Sequence, residues 1–272
     1  MNKKMMPERV RFSALEKALL VLETLANHPR PVGLPDLAVM LDMPRQTVHR
    51  VLRQLEANGL VQRDPSRDRF SIGARFSKLA LATLSSSNQS APIQAVLADL
   101  VADLEETCNV GVLDGLDFLY LERIECHWSL RVHLQAGSRV PAYCVSGGKV
   151  MLAHMDEDLR CALLRAKRLK ALTPNTLSRL PDLRKEFGRI RKQGYALNDQ
   201  EYTLGIVGVA VPVMNHNGRV LAALALHGPE PRLSIARAKA AVPKLQMTAK
   251  RLARIWGLVR EGDGAAPDDC KS

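Results

Sequence analysis

The chain of 272 residues is long enough for two ordinary domains, each burying its own core. Hydrophobic residues make up 46% and charged residues 25%, the balance of a soluble globular protein, and no apolar run approaches the roughly 18–20 residues that span a bilayer, so no membrane partner is expected. The formal charge of +11 favours an acidic partner such as nucleic acid or a small acid, and residues 1–80 hold 14 Lys/Arg against 8 Asp/Glu, so the excess is densest at the N-terminal end.

The opening stretch MNKKMMPERVRF is basic, but no apolar segment follows it. It does not read as a secretory signal, and a cytoplasmic protein is expected. Ser13-Ala14-Leu15-Glu16 has the form of a capping box, opening a helix to about Ala26 with Leu15, Leu19, Leu22 and Leu25 as its apolar stripe. Pro29-Arg30-Pro31 marks a turn between His28 and Gly33. A short second helix follows, with Pro35 and Asp36 in its first turn and Leu37, Ala38 and Leu41 facing in. Asp42-Met43 is a tight turn, Pro44 starts a third helix, and Gly59 ends it as a left-handed cap.

That third helix has two unlike faces. At about 100° per residue, Val48, Val51, Leu52 and Leu55 fall on one side. Gln46, His49, Arg50 and Arg53 cluster opposite, a face of hydrogen-bond donors without a carboxylate. Such a helix fits the DNA major groove, although a solvated surface helix shows the same amphipathicity. Gln46 and Arg50 are the best candidates for base edges, His49 and Arg53 for bases or phosphates, and Arg45 and Thr47 for the DNA backbone. The next segment favours DNA. Leu60–Arg63 and Arg69–Ile72 alternate apolar and polar residues around a turn at Asp64–Asp68, giving a hairpin with Arg63, Arg67 and Arg69. Three helices and a basic hairpin make a winged helix-turn-helix domain, here expected over residues 13–73.

Ala74–Leu84 is helix-competent, Ser85–Ser90 loosens the chain, and Pro92 opens a helix to about Glu106. Residues 74–91 therefore read as linker helix and boundary, 92–260 as a second domain and 261–272 as a flexible tail. From Cys108 the period becomes two: Val110–Leu113, a turn at Asp114-Gly115, then Phe118–Ile124. Leu130–His133 reads as another strand. Helices follow at Ser146–His154, Glu157–Ala166 and Pro181–Gln193, then strands at Tyr195–Asp199, Ile206–Val213 and Arg219–His227. This is an α+β pattern. No acid occurs between Pro231 and Arg260, a helical stretch divided by Pro243. It is expected to cover its own domain or a partner chain, with a second DNA contact less favoured.

The segment SALEKALLVLETLANHPRPVGLPDLAVMLDMPRQTVHRVLRQLEANGLVQRDPSRDRFSIG resembles the DNA-binding half of an IclR-family transcriptional regulator. The matches are Leu37-Ala38, Pro44, Thr47-Val48-His49-Arg50, Leu52, Leu55-Glu56, Gly59, Arg63-Asp64 and Phe70-Ser71-Ile72-Gly73. VLDGLDFLYLERI, GSRVPAYCVSGGKVMLA, GYALNDQEYTLGIVGVAVPV and GRVLAALALHGP resemble its effector half, so the likeness covers about residues 13–257. The resemblance implies a GAF-like C-terminal effector-binding domain and binding to a palindromic double-stranded DNA operator. It also implies a homodimer made partly through the linker helix, with a dimer of dimers as the alternative, and neither cofactor nor catalytic residues.

Ser146, Gly147 and Gly148 lie at a helix N-terminus, where free backbone N–H groups favour a carboxylate and glycine lets a ligand approach. In the family this loop holds the carboxylate of a small acid. Carried over by position, the polar contacts map to Asn198, Gly208, Ala225 and His227 with the backbone of Ser146 and Gly147. The apolar wall maps to Ser129, Val132, Val140 and Ile206. The chain departs from the family pattern: Asn198 replaces a frequent acid, Gly208 a Cys, and Ala225 and His227 two Ser residues. Fewer polar side chains and an added imidazole point to a larger acid, an aromatic catabolite, with His227 donating to it. A satisfied core histidine is the equal alternative.

Other motifs are weaker. Ser146-x-x-Lys149 matches the S-x-x-K of penicillin-recognising serine enzymes without the Ser-Asp-Asn or Lys-Thr-Gly partners. Five cysteines (Cys108, Cys126, Cys144, Cys161, Cys270) without CxxC spacing argue against a disulfide framework or structural zinc, and Cys126-His127 lacks further ligands. No P-loop, GxGxxG or HExxH occurs. The expected function is a ligand-responsive transcription regulator. The alternative is a small-molecule enzyme or sensor with a basic interaction module, and salt-dependent operator binding separates the two.

Overall fold

The computed structural model describes residues 12–28, 30–64, 68–84, 87–130 and 134–259, which divide into two units between Thr83 and Leu84. In the first unit, α1 (Ala14–Asn27) opens with the expected capping box: Glu16 N–H donates to Ser13 Oγ (3.2 Å) and Ser13 N–H to Glu16 Oε2 (2.6 Å). Its buried residues are Val21, Leu22 and Leu25. Leu15 and Leu19, expected in the stripe, are 69% and 47% exposed. The shared core takes Val21, Leu22 and Leu25, with Ala18 and Leu20 packed at its edge, and does not include Leu15 or Leu19.

The expected turn after α1 contains a short strand, β1 (Val32–Gly33), followed by α2 (Leu34–Met40). Asp42 turns the chain at a left-handed φ of +47°, and α3 (Arg45–Ala57) follows with Pro44 as N-cap. A left-handed Gly59 (φ +69°) ends α3. Leu60 N–H bonds to Leu55 O and Gly59 N–H to Glu56 O, both at 2.9 Å, which is a Schellman motif. The chain then forms β2 (Val61–Asp64) and β3 (Arg69–Ile72), antiparallel from Val61↔Ile72 to Asp64↔Arg69. β1 joins β3 to give the order β1-β3-β2. The hairpin tip, including Arg67, lies outside the described residues. Gly73 ends the hairpin, its N–H donating to Leu60 O (2.8 Å) before α4 (Ala74–Leu84).

The second unit begins with α5 (Ser87–Leu104). The helix starts at Ser87, earlier than the expected Pro92, and contains that proline; Ser85 and Ser86 of the Ser/Asn stretch lie outside the described residues. Ser and Asn suit an opening turn, and a proline near the start removes only one backbone donor. Strands β4 (Thr107–Asp114), β5 (Asp117–Ile124) and β6 (Arg139–Pro141) come next, with a 3₁₀ turn at Ala142–Cys144. They are followed by α6 (Ser146–His154), α7 (Glu157–Ala166) and α8 (Leu180–Gln193), the last closed by left-handed Gly194. β7 (Ala196–Asp199), β8 (Ile206–Met214), β9 (Val220–Pro229), α9 (Ile235–Ala240) and α10 (Val242–Ile255) complete the unit. The sheet order is β6-β5-β4-β9-β8-β7, antiparallel throughout. Of the strand expected at Leu130–His133, Leu130 lies in a bend and the other three residues lie outside the described set.

The two sheet faces differ in side-chain size. Val207, Val209, Val211, Val213, Leu224 and Leu226 pack on one side with Ile93 and Leu97 of α5 and Leu245 and Leu252 of α10. The opposite face carries Ala210, Ala223 and Ala225 and receives Val150 and Leu152 of α6 and Phe187 and Ile190 of α8. α6 can approach because its first turn is glycine. A Cβ on Gly148 would collide with the Ala142 backbone, and one on Gly147 would stand 2.6 Å from Phe118 Cζ. The basic C-terminal segment packs on α5, with Lys244–Asp103 at 2.7 Å and Arg251–Asp99 at 3.3 Å. It covers its own unit, as expected. Among the described residues no helix is long and apolar enough to cross a membrane.

A Cβ on Gly73 would meet the Gly59 carbonyl, so the hairpin can pass from β3 into α4 beside the end of α3 only through glycine. Gly73→Ala should cost the first unit about 1–3 kcal/mol by overpacking. Hydrogen exchange reads this as faster exchange of the α3 amides with the second unit unchanged; unaltered α3 protection would show that the exit has room.

Candidate functional site

Two sites can be built from these elements. On α3, Val48, Val51, Leu52 and Leu55 are buried, while Arg45, Gln46, His49, Arg50 and Arg53 are exposed and Thr47 is half-buried. The first turn is fixed by Thr47 and Val48 N–H groups donating to Pro44 O at 2.8 and 3.2 Å. Gln46, His49, Arg50 and Arg53 form one row at helical spacing, so four donor-bearing side chains project in one direction. The wing is partly braced from within. Arg63 pairs with Asp68 (2.7 Å) and lies over the Phe70 ring, 5.8 Å from its centroid. Arg69 is exposed and donates to Pro31 O (3.0 Å), tying β3 to the segment before β1.

The second site is a small cavity of about 30 Å³ between the start of α6 and the small-residue face of the sheet. That volume holds one or two waters. From the expected set, Ser146, Gly147, Asn198, Ile206, Ala225 and His227 line it. Gly208 stands just behind the wall: a Cβ there would lie 3.2 Å from Ser146 Oγ and 3.4 Å from His227 Cβ, so its bareness lets the two approach. Two expected wall residues are elsewhere. Ser129 is exposed in a bend beyond β5, and Val140 is buried in β6 opposite Phe118. Val132 itself lies outside the described residues.

The wall also contains residues the sequence reading did not select: Asn109, Phe118, Tyr120, Leu134, Val145, Tyr202 and Thr203. Phe118 and Tyr120 are period-two neighbours on β5 and meet edge to face at 5.3 Å between centroids. Asn109 carried a usable signal, being a polar residue inside a buried strand. Tyr202 and Thr203 had none, because they sit in a loop.

His227 is partly buried, with Nδ1 at 3.0 Å from Asn109 Nδ2 and Nε2 at 2.9 Å from Arg123 Nη1. Burial, then the adjacent Arg123 charge, push its pKa down to about 3, so the imidazole is neutral near pH 7. Both ring nitrogens are engaged by protein groups, which corrects the expectation of an imidazole free to donate to a ligand. Asn198 is also engaged, its Oδ1 accepting from Glu201 N–H (2.8 Å). The loop that follows is held by Thr173 Oγ1 on Gln200 O (2.7 Å) and Thr176 Oγ1 on Glu201 O (2.6 Å). Beneath it, Lys149, only 1% exposed, pairs with Glu201 and with Glu186 (3.3 Å), and Glu186 also meets Arg189 (2.7 Å). The lysine of the S-x-x-K match thus braces the pocket loop. Cys126 N–H donates to Thr107 Oγ1 (3.2 Å), and among the described residues no group of three His, Cys, Asp or Glu could hold a metal.

With this geometry established, the chain can be set beside known proteins. It matches the IclR helix-turn-helix domain over residues 14–65 and the bacterial transcriptional regulator IclR C-terminal family over residues 81–254. It is similar to the probable transcriptional regulator SauR of Cupriavidus necator, 35% identical over 244 residues, covering 90% of this chain and 97% of that protein. The crystal structure of the Thermotoga maritima IclR superposes with a TM-score of 0.60 at 26% identity, covering 89% of this chain and 98% of that one. The inducer-binding domain of PobR from Acinetobacter, a double mutant solved with 3-hydroxybenzoic acid, gives a TM-score of 0.55 at 29% identity over 58% of this chain and 94% of its own.

Lys149→Met should cost about 3–5 kcal/mol near pH 7, because two buried carboxylates lose their internal cation. Burial already raises the Glu201 pKa and Lys149 opposes that rise, so the variant raises it further. A raised carboxyl binds its proton more tightly in the folded than in the unfolded state. Stability is therefore present at low pH and lost as pH rises through the folded pKa. Urea denaturation at about pH 7.5 and about pH 5.5 should show the gap to wild type narrowing at the lower pH; a constant gap would refute the assignment.

Proposed function

The chain belongs to the IclR family of bacterial transcriptional regulators, and from that premise we propose a sequence-specific DNA-binding regulator whose hold on a palindromic operator is modulated by a small organic acid in its C-terminal domain. The observation that carries the DNA half is the α3 face, on which Gln46, His49, Arg50 and Arg53 are exposed opposite a fully apolar buried stripe. In the major groove, arginine pairs bidentately with guanine and glutamine with adenine, which suits Arg50 and Gln46. Arg45 and Thr47, at the helix start, suit phosphates, and Arg67 and Arg69 on the wing suit phosphate or minor groove. One such helix reads only a few base pairs, so a homodimer on a two-fold operator follows, with a dimer of dimers as the extended form. Residues 13–73 serve as the DNA domain, 74–91 as linker and 92–260 as effector domain. A cytoplasmic location accompanies a DNA operator, and the relatives are regulators rather than enzymes.

For the effector half, α6 presents Ser146 and Gly147 at its N-terminus, where amide groups favour a carboxylate. Phe118, Tyr120, Ile206 and Ala225 supply an apolar and aromatic wall. PobR's complex with 3-hydroxybenzoic acid supports an aromatic acid as the ligand class. The cavity is too small for such a molecule as it stands, so binding entails displacement of its outer wall, where Tyr202 and Thr203 sit.

Fluorescence anisotropy on DNA from the chain's own or adjacent promoter tests the DNA half. Arg50→Ala should lose about 1–3 kcal/mol on the operator and little on random DNA, with affinity falling as salt rises. Equal loss on both sequences would make Arg50 a phosphate clamp, and salt-independent binding would sink the operator reading.

A further inference from the structure

We propose that Asn109 is a carboxylate-binding donor of the effector pocket and that Arg123, acting through His227, sets its orientation. The inference rests on the reading of this cavity as a ligand site. Arg123 carries only donors, so at 2.9 Å its Nη1–H requires His227 Nε2 to accept. The neutral ring then bears its single proton on Nδ1, and that nitrogen is 3.0 Å from the Asn109 amide. An N–H facing an N–H is not a bond. The two ends of an amide are alike in shape and are distinguished only by their partners. The proton on Nδ1 therefore calls for the Asn109 oxygen opposite it, with the amide turned half a revolution from the orientation that points nitrogen at the ring.

The turned amide has a consequence for the cavity. Asn109 is 1% exposed and lines the wall. As placed, the end of its amide directed away from His227 is an oxygen that no donor among the described residues reaches. After the turn that end is the NH₂ group. A buried donor without a partner costs free energy, and an acceptor arriving in the cavity recovers it. The other polar groups at this end favour the same ligand. The α6 N-terminus offers amide N–H groups at Ser146 and Gly147, and the Asn198 oxygen is already spent on Glu201. The Arg123 guanidinium lies one residue behind, buried, and its charge, partly offset by Glu125 Oε1 at 3.6 Å, favours an anion. An ionised carboxylate satisfies these donors with both oxygens, whereas the corresponding amide turns its own NH₂ against one of them. The site thus selects the acid over its amide.

The first test needs no ligand. Long-range ¹H–¹⁵N correlation spectra of the full chain, labelled with ¹⁵N-histidine and assigned with His227→Gln, report which ring nitrogen is protonated. A neutral ring protonated on Nδ1 is expected, with Arg123→Met releasing that preference. Protonation on Nε2, or a charged ring near pH 7, overturns the proposal. The second test is calorimetric titration with 3-hydroxybenzoate and 3-hydroxybenzamide. Wild type should take the acid in preference to the amide. Asn109→Asp, which still accepts from His227 but offers no donor, should weaken the acid by about 10- to 100-fold. Undiminished affinity in Asn109→Asp overturns the donor role and leaves the pocket reading standing. If wild type binds neither probe, the aromatic-acid reading fails, and the tautomer measurement alone then decides whether the hydrogen-bond chain exists.

Discussion

The C-terminal unit depends on how closely α6 can be pressed against the sheet. Gly147 and Gly148 leave no room for a side chain between the helix start and Phe118 or Ala142. The sheet answers with Ala210, Ala223 and Ala225 on that face and Gly208 beside Ser146. On the opposite face of β8 and β9, valine and leucine pack against α5 and α10. A close-packed interior tolerates little change in volume, so this division of sizes fixes the helix position. The same closeness puts the α6 amides at the edge of the cavity. Stability and ligand contact are thus set by one packing arrangement.

Lys149 extends that arrangement outward. It sits one turn after Ser146, is buried, and joins α6 to Glu186 of α8 and to Glu201 in the pocket loop. A buried ion pair contributes little net stability over an apolar replacement, but it can fix geometry, and here Lys149 bridges Glu201 to Glu186, which Arg189 also holds. The lysine holds the base of the loop whose later residues, Tyr202 and Thr203, form the outer wall of the cavity. The backbone of Gln200 and Glu201 is clamped by two threonines, while Thr203 and Leu204 are exposed. The far side of the loop is closed within itself, Gly205 N–H donating to Gln200 Oε1 (2.9 Å) and Ile206 N–H to Thr203 O (3.2 Å).

The first unit was largely legible because its determinants are local. A capping box, a Schellman glycine and a helix with opposed faces each declare themselves within a few residues. Leu15 and Leu19 misled because amphipathic spacing tells which face is apolar and not how far the neighbouring core extends. The helix containing Pro92 starts earlier than its proline suggests, since polar turn-formers are also good residues for a helix start. Of the expected effector residues, Ser146 and Gly147, marked by a motif, and Ile206, Ala225 and His227, carried over within strands, line one cavity, whereas Ser129 and Val140 do not. Arg123 and Asn109 were invisible as partners of His227, being 104 and 118 residues away in the chain and brought together only by the β5-β4-β9 order.

That cross-strand cluster changes the meaning of the histidine. A serine at position 227 could rotate its hydroxyl to suit either a donor or an acceptor. A neutral imidazole cannot: once Arg123 claims Nε2, the direction of every later hydrogen bond in the row is determined. The cation itself is kept out of the cavity, so the site gains its attraction for an anion without exposing a guanidinium that water or a wrong ligand could satisfy. With a pKa near 3, the ring stays uncharged across the range in which ordinary histidines titrate. An acid sensed here would be recognised by fixed donors rather than by a group that must first take up a proton, so recognition would follow the concentration of the ionised ligand and not the protonation state of the protein.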